Sequence, residues 1–312
     1  MPITSFHPNT GTIGKIVRLG RPRFLSIGLA LYILGSLTAL LSGAGFDAGR
    51  FFFGYMILFF GHLSVHYSND YFDYEADRLN RSSATSGGSG ILAETPELLG
   101  FSHSFGLTLA VVSVIGAAMF TLVYSLSALY LALAVLGNLV SWYYTAPPAR
   151  MAYRQWGVLA SALSVGFMMP VIGNFSMAGR LTPLFLAFAF PLLLQALSFL
   201  IAVQIPDMES DRLARKRTFV AEHGRSAGFF MMLLPLAAAT SYYFAAPYLI
   251  RAMAGLGFAG VISVLPLGMA AYSFAKRNSG REKVIKLVKY NVICFVMFIF
   301  LLDFYLAFVL MR

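Results

Sequence analysis

Uncharged apolar runs of about 17–25 residues, each long enough to cross a bilayer as a helix, recur along the whole chain. Nine can be read: Phe24–Phe46, Phe51–Phe72, Phe105–Tyr124, Ala128–Tyr144, Trp156–Ser176, Pro183–Ile205, Ala227–Pro247, Gly255–Phe274 and Leu287–Met311. The fourth run is short and the seventh and eighth nearly touch, which leaves eight or ten spans as alternatives. The polar segments between runs alternate between long charged stretches and bare connections such as Ser125–Ser127. The pattern predicts an all-α integral membrane protein, with residues 1–312 forming a single membrane-embedded domain.

The placement of charge tests this topology independently. With nine spans and the N-terminus inside, 19 of the 23 basic residues fall on the inner side, leaving only Arg50, Arg180, Arg251 and Arg312 outside. That asymmetry follows the positive-inside rule and predicts a cell (inner) membrane protein with a cytoplasmic N-terminus. The acids are one-sided too. Six of 13 lie between Asp70 and Glu97 and four between Asp207 and Glu222, after the second and sixth spans. Chemistry done from the inner face is the expectation.

Composition removes several classes. The chain is 58% hydrophobic and 12% charged, against about 45–50% and about 25% in soluble domains. A net charge of +10 would suit nucleic acid only on a soluble surface, so no nucleic-acid partner is expected. Cys294 is the single cysteine, which forbids an intrachain disulfide and Cys-based metal sites. The basic stretch Lys15–Arg23 runs into an apolar segment too long for a cleaved signal peptide.

Two acidic clusters carry the candidate chemistry, in motif loops at about 69–103 and 204–225. The first reads Asn69-Asp70-Tyr71-Phe72-Asp73-Tyr74-Glu75-Ala76-Asp77. If the second span continues helically through it, Asn69, Asp70, Asp73 and Asp77 share a face. In the second, Gln204, Asp207 and Asp211 repeat the i, i+3, i+7 spacing, with a kink expected at Pro206. Residues Asp73–Arg81 match Asp207–Arg215 at six of nine positions, suggesting an internal duplication in which spans two and six are equivalent. Carboxylates crowded at the edge of a hydrocarbon layer repel one another. A Mg2+ ion, which takes one or two carboxylates, waters and phosphate oxygens, relieves that repulsion. The alternative is a set of solvated acids pairing with Arg78, Arg81, Arg212 and Arg215.

These residues resemble the UbiA-type intramembrane prenyltransferases. Asn69-Asp70-x-x-Asp73-x-x-x-Asp77 looks like that family's first motif and Asp207-x-x-x-Asp211, with Lys216-Arg217-Thr218 and Gly224 beyond it, like the second. Tyr144-Thr-Ala-Pro147-Pro148-Ala-Arg150 resembles the segment after its fourth helix, and Arg21-Pro22 the start of its first. The resemblance implies nine helices around a central cavity, capped by the two loops and open sideways to lipid. It implies Mg2+ held by Asn69, Asp70, Asp73, Asp77, Asp207 and Asp211, with Asp73, Asp77, Asp207 and Asp211 catalytic. Arg21, Arg150 and Lys216 would grip the diphosphate, with Arg78, Arg81 and Arg217 as substitutes. The donor would be a prenyl diphosphate, and Tyr71, Phe72, Tyr143 and Tyr144 would shelter the allylic cation. The acceptor would be small and apolar or aromatic.

The Gly/Ser tract Ser82–Ile91 reads as a linker or as a phosphate-cradling loop. It is similar to the Gly-Gly-Ser tract of the 1,4-dihydroxy-2-naphthoate (menaquinone-pathway) branch, which implies a quinone-precursor acceptor. Gln204-Ile-Pro-Asp207 departs from that branch's Asn-containing sequence, and a phenolic, glycerol phosphate lipid, carotenoid or tetrapyrrole acceptor remains an alternative. His62, His66 and Asp70 share one helical face, so the histidines read as cavity lining, core hydrogen-bonding groups or, for His66, a base toward the acceptor. Asp303 is the only acid deep in an apolar run, a functional suspect or a helix–helix contact. Asn138, Asn174, Gln195 and Asn291 read as cavity lining or interhelical glue. A cation-coupled transporter would carry its acids near mid-membrane, and a CDP-alcohol phosphotransferase would need Asp-Gly and Ala-Arg elements that neither cluster has.

Overall fold

The computed structural model describes residues 11–79 and 88–312. Among them there are helices and connecting turns but no strands. In chain order the helices are α1 (Thr12–Leu19), α2 (Pro22–Leu41), α3 (Ala48–Phe72), α4 (Tyr74–Leu79), α5 (Ile91–Glu94), α6 (Leu99–Val123) and α7 (Ala128–Thr145). There follow α8 (Gly157–Leu163), α9 (Met169–Ala178), α10 (Pro183–Gln204), α11 (Met208–Leu213), α12 (Phe219–His223), α13 (Arg225–Leu249), α14 (Phe258–Ala275) and α15 (Arg281–Leu310). Nine segments among the described residues are long and apolar enough to cross a membrane, and they coincide with the nine expected from sequence. The fifth is composite: α8 and α9 are joined by a π-helical turn, Ser164–Met168.

Local chemistry sets the ends of these helices. Asp47 caps α3 by accepting the Arg50 N–H at 2.8 Å, and Thr182 caps α10 ahead of Pro183 by accepting the Phe185 N–H at 3.2 Å. The basic stretch read as the lead-in to the first span is a helix of its own. The chain turns between α1 and α2 at Gly20-Arg21, with Arg21 in the left-handed region (φ 46°) and Pro22 opening α2.

The helices pack in a closed sequence: α2 on α3, α3 on α6, α6 on α7, α7 on α8, α8 on α10, then α10 on α13, α13 on α14, α14 on α15 and α15 back on α2. α9 packs against α2 and α3. At the α2–α9 crossing the contact is between backbones. Gly35 sits over Pro170 and Asn174, and Gly173 over Tyr32 and Ser36, so each glycine faces the space between residues i and i+4 of the other helix. Small residues permit such an approach, which replaces hydrophobic driving force between helices in lipid. Beside it the Asn174 amide donates to Thr38 Oγ1 at 3.1 Å and to Thr182 Oγ1 at 2.9 Å. Asn174 is therefore interhelical glue. Asn291 is also glue, donating to Ser273 Oγ at 2.7 Å across α14 and α15. Gln195 is fully buried with neither amide atom hydrogen-bonded, and Asp303 is buried with Oδ1 unpartnered.

Candidate active site

The two acidic clusters meet at one end of the bundle. After α3 the chain interrupts its helix at Asp73 (φ −92°, ψ 2°) and resumes as α4, with the Asp77 N–H donating to the Asp73 carbonyl at 2.8 Å. The helix that would continue through the motif is thus broken once, at Asp73, whose carboxylate is held by Lys216 and Tyr153. After α10 the chain bends through Pro206 and resumes as α11, where the Asp211 N–H donates to the Asp207 carbonyl at 2.8 Å. Each long span therefore ends in a six-residue helix, Tyr74–Leu79 or Met208–Leu213, bearing a second aspartate four residues after the first. The local geometry repeats as the sequence does.

Lys216 joins the two motifs. Its backbone N–H donates to the Asp211 carbonyl at 2.8 Å, while its ammonium reaches Asp73 Oδ2 at 2.7 Å. Asp73 Oδ1 accepts from the Tyr153 hydroxyl at 2.9 Å. Tyr153 is in turn tied to the second loop, its carbonyl accepting the Arg217 N–H at 3.2 Å. Lys216 Nζ and the Arg150 guanidinium lie 5.1 and 4.3 Å from the centre of the Tyr153 ring. Sequence reading did not single out Tyr153, and it bears on both motifs.

The remaining acids have distinct environments. Asp70 is buried, ion-paired with Arg21, and accepts the Ser89 N–H at 3.1 Å on Oδ2. Asn69 Oδ1 accepts from Thr145 at 2.8 Å, and Asp211 Oδ2 accepts from Thr218 at 2.9 Å. Burial first, then the charges of Asp73 and Asp70, push Asp77 up to about 7. Burial also pushes Asp211 up to about 6, with Asp207 and Asp73 adding to it. Asp211 feels the charge of Asp73, an acid of the other motif. Burial alone lowers the Lys216 ammonium, but Asp73, Tyr153 and Asp77 outweigh it and the net shift is upward. Excess negative charge in a dry setting is the common feature.

Other expected site residues are distributed around this centre. Tyr144 lies near Ser161 and within electrostatic range of Asp73, Asp211 and Lys216. Tyr71 and Phe72 instead pack with His103 and Trp142, on the α6–α7 side. Tyr143 is 37% exposed on α7. Arg21 is committed to Asp70, Arg78 and Arg217 are exposed partners of Glu75 and Glu222, and Arg212 donates to the Ala221 carbonyl at 2.6 Å. Arg81 and Ser82–Gly87 lie outside the described residues. Of the Gly/Ser tract, the Ser89 amide faces a carboxylate, Asp70, where a phosphate cradle was one expectation.

Below the acids, a cavity of about 60 Å³ lies between α3, α6, α7, the π turn and α9. His62, Ser113, Asn138, Ser141 and Ser164 line it among apolar side chains such as Ile57, Leu133 and Ile172. Asn138 is thus cavity lining and glue at once, donating to Ser113 Oγ at 3.1 Å.

The donors around the acids are all oxygen, which suits Mg2+ rather than a soft metal. Among the described residues no three His, Cys, Asp or Glu side chains close into a ready metal cage. Mg2+ keeps waters and substrate oxygens and needs no such cage, and the raised Asp77 and Asp211 are carboxylates that a cation would relieve. The residues present fit the ion.

Comparison with known proteins gives a consistent result. Residues 29–302 match the UbiA prenyltransferase family. Curated protein sequences yield no match. Among solved structures, a digeranylgeranylglyceryl phosphate synthase superposes with a TM-score of 0.66 at 16% identity, over 94% of this chain and 98% of that one. A UbiA homologue from Archaeoglobus fulgidus bound to DMAPP and Mg2+ gives 0.63 at 16%, over 93% and 99%. The apo UbiA homologue from Aeropyrum pernix K1 gives 0.67 at 18%, over 88% and 96%.

Proposed function

This chain belongs to the UbiA prenyltransferase family and is a multi-pass membrane prenyltransferase, and on that footing we propose that it moves a prenyl group, with Mg2+, from a polyprenyl diphosphate to an aromatic quinone precursor of the 1,4-dihydroxy-2-naphthoate kind. The observation that carries the proposal is Lys216, whose backbone holds Asp211 and whose ammonium holds Asp73, so that carboxylates 138 residues apart in sequence face one volume. The structurally similar A. fulgidus homologue holds DMAPP or GPP together with Mg2+, which supports the same donor and ion here.

Asn69, Asp73 and Asp77 on one wall, and Asp207 and Asp211 on the other, are the residues that would hold Mg2+. When bound, the ion supplies Lewis-acid stabilisation of the charge that develops on the departing diphosphate. Asp70, held by Arg21 and the Ser89 amide much as Asp73 is held by Lys216 and Tyr153, stands beside those metal-holding residues at the start of the motif. Lys216 and Arg150, grouped on the Tyr153 ring, present cationic heads toward diphosphate oxygens. Such fixed charges act most strongly in a water-poor site and need no reorganisation as the carbon–oxygen bond breaks. Tyr144, beside Asp73 and Asp211, offers its ring to the allylic cation. The inner-side concentration of basic residues supports placing these loops in the cytoplasm. The Gly-Gly-Ser tract and the polar groups on the cavity wall support a hydroxylated aromatic ring as acceptor.

The test is transfer of labelled geranylgeranyl diphosphate by the purified chain in nanodiscs, with and without Mg2+, offering 1,4-dihydroxy-2-naphthoate and, separately, a glycerol phosphate lipid. Mg2+-dependent product with the naphthoate is expected. Product with the glycerol phosphate lipid alone would overturn the aromatic acceptor and keep the class.

Tyr153→Phe gives a narrower prediction. A hydrogen bond to a charged group contributes about 1.5–3 kcal/mol, so kcat is expected to fall by roughly tenfold or more. The backbone link from Arg217 N–H to the Tyr153 carbonyl is untouched by the change. An unaltered kcat would show that Asp73 needs only Lys216 to hold its position.

A further inference from the structure

His66 and His62 stand one and two turns below Asp70 on the inner face of α3, their rings 5.1 Å apart, with Phe24 of α2 closing against His66 at 5.8 Å. Neither is used by the acidic site. An imidazole carries one donor or acceptor at each nitrogen, and buried polar groups in a membrane bundle ordinarily find partners. These do not. His66 is 7% exposed and its Nε2 is buried with no hydrogen-bond partner. His62 borders the cavity, and its Nδ1 faces Gly28 of α2 so closely that a Cβ there would collide. The fold thus makes room for the His62 imidazole at the cavity wall and leaves the neighbouring His66 Nε2 without a partner.

The opposite wall carries Asn138 with Ser113, already bonded to each other, and Ser141 and Ser164. Among the described residues no charged side chain lines the cavity. Its partners are neutral hydrogen-bonding groups on an otherwise apolar surface, which is the lining expected for the flat, hydroxylated ring of an aromatic acceptor rather than for a phosphate or an alkyl chain. The column also has the right depth. At about 1.5 Å rise per residue, His66 lies one turn from Asp70, just beneath the place where a diphosphate would be held, which is where the atom attacking the prenyl carbon must sit.

We propose that His62 and His66 form the recognition site for the hydroxyl groups of a hydroxyarene acceptor, and so set acceptor specificity. This rests on the prenyl-transfer reading above and adds the residues that choose the ring. A site whose buried polar groups need a substrate hydroxyl rejects analogues lacking it, because the protein groups are then left unpaired.

The experiment measures binding to the full chain in nanodiscs of two probes, 1,4-dihydroxy-2-naphthoate and its 1,4-dimethoxy counterpart, alongside Mg2+-dependent binding of geranylgeranyl diphosphate. The wild type is expected to prefer the dihydroxy probe by about tenfold or more. His62→Phe and His66→Phe should remove that preference while donor binding persists, and His66→Asn, which keeps a hydrogen-bonding group, should retain part of it. Donor binding also reports that each variant is folded; should His66→Phe lose it, His62→Phe and His66→Asn decide. Full preference in the variants, or no preference in a wild type that binds donor, would overturn the assignment and leave prenyl transfer standing. Absence of Mg2+-dependent donor binding in the wild type would instead remove the prenyl-transfer reading, and this assignment with it.

Discussion

Asp73→Asn is expected to lower prenyl transfer by about a thousandfold, at the upper end of what one preorganised charge contributes, with the protein still folded and inserted. The side chain keeps its size but loses its charge and exchanges one acceptor oxygen for an amide donor, so it can no longer accept from both Lys216 and Tyr153. Asp73 is the point at which both motifs converge: Lys216 reaches one carboxylate oxygen at 2.7 Å and Tyr153 the other at 2.9 Å. Its charge is also felt at Asp77, Asp211 and Tyr144. Neutralising it removes a metal-holding group and releases Lys216 in one step. Lys216→Met separates these effects, because it leaves the carboxylate in place with Tyr153 alone. A loss of about a hundredfold is expected there, in the range found for removing one fixed donor to developing charge. Residues sharing a network are not additive, so the double variant should be no more than severalfold worse than Asp73→Asn. Multiplying losses in the double variant would mean that Lys216 works independently of Asp73, and the bridge between the motifs would then be incidental.

The parts of this arrangement differ in how openly the sequence displays them. The spans are legible because a membrane demands uncharged runs of fixed length, and nothing in tertiary packing can override that demand. The two acidic motifs are legible because each is local, with its acids on successive turns after a span. Lys216 is visible as part of a motif, but its reach to Asp73 spans 143 positions and has no periodicity. Tyr153 is a single tyrosine in a loop, 80 positions from the carboxylate it holds, and only the folded chain reveals it. The same applies to Tyr71 and Tyr143, which sequence proximity to Asp70 and Tyr144 placed at the site. A helical turn carries neighbours to different faces, and they lie against His103 and at the bundle's flank. The π turn at Ser164–Met168, which brings Ser164 to the cavity wall, has no signal in an apolar run.

The glycines at the α2–α9 crossing belong to that silent class, and they support the second large prediction. Gly173→Val is expected to destabilise the fold by about 3 kcal/mol or more, beyond the common range for overpacking. The obstacle at Gly173 is the backbone of Tyr32 and Ser36, and at Gly35 that of Pro170 and Asn174, not the end of a flexible side chain. Backbone cannot swing aside, so the helices must separate. Separation would break the Asn174 bonds to Thr38 and Thr182 and open the contact that joins the helix opening the first half to the one opening the second. Gly137 is the internal control: it also lies on a spanning helix, yet a Cβ there meets nothing within 4 Å. Gly137→Ala should leave thermal stability in detergent nearly unchanged, while Gly35→Val and Gly173→Val lower it sharply. Equal stability for all three would mean that α2 and α9 have slack at their crossing. The acidic loops would then be positioned by their own bridge through Lys216 and Tyr153, without help from the close packing beneath them.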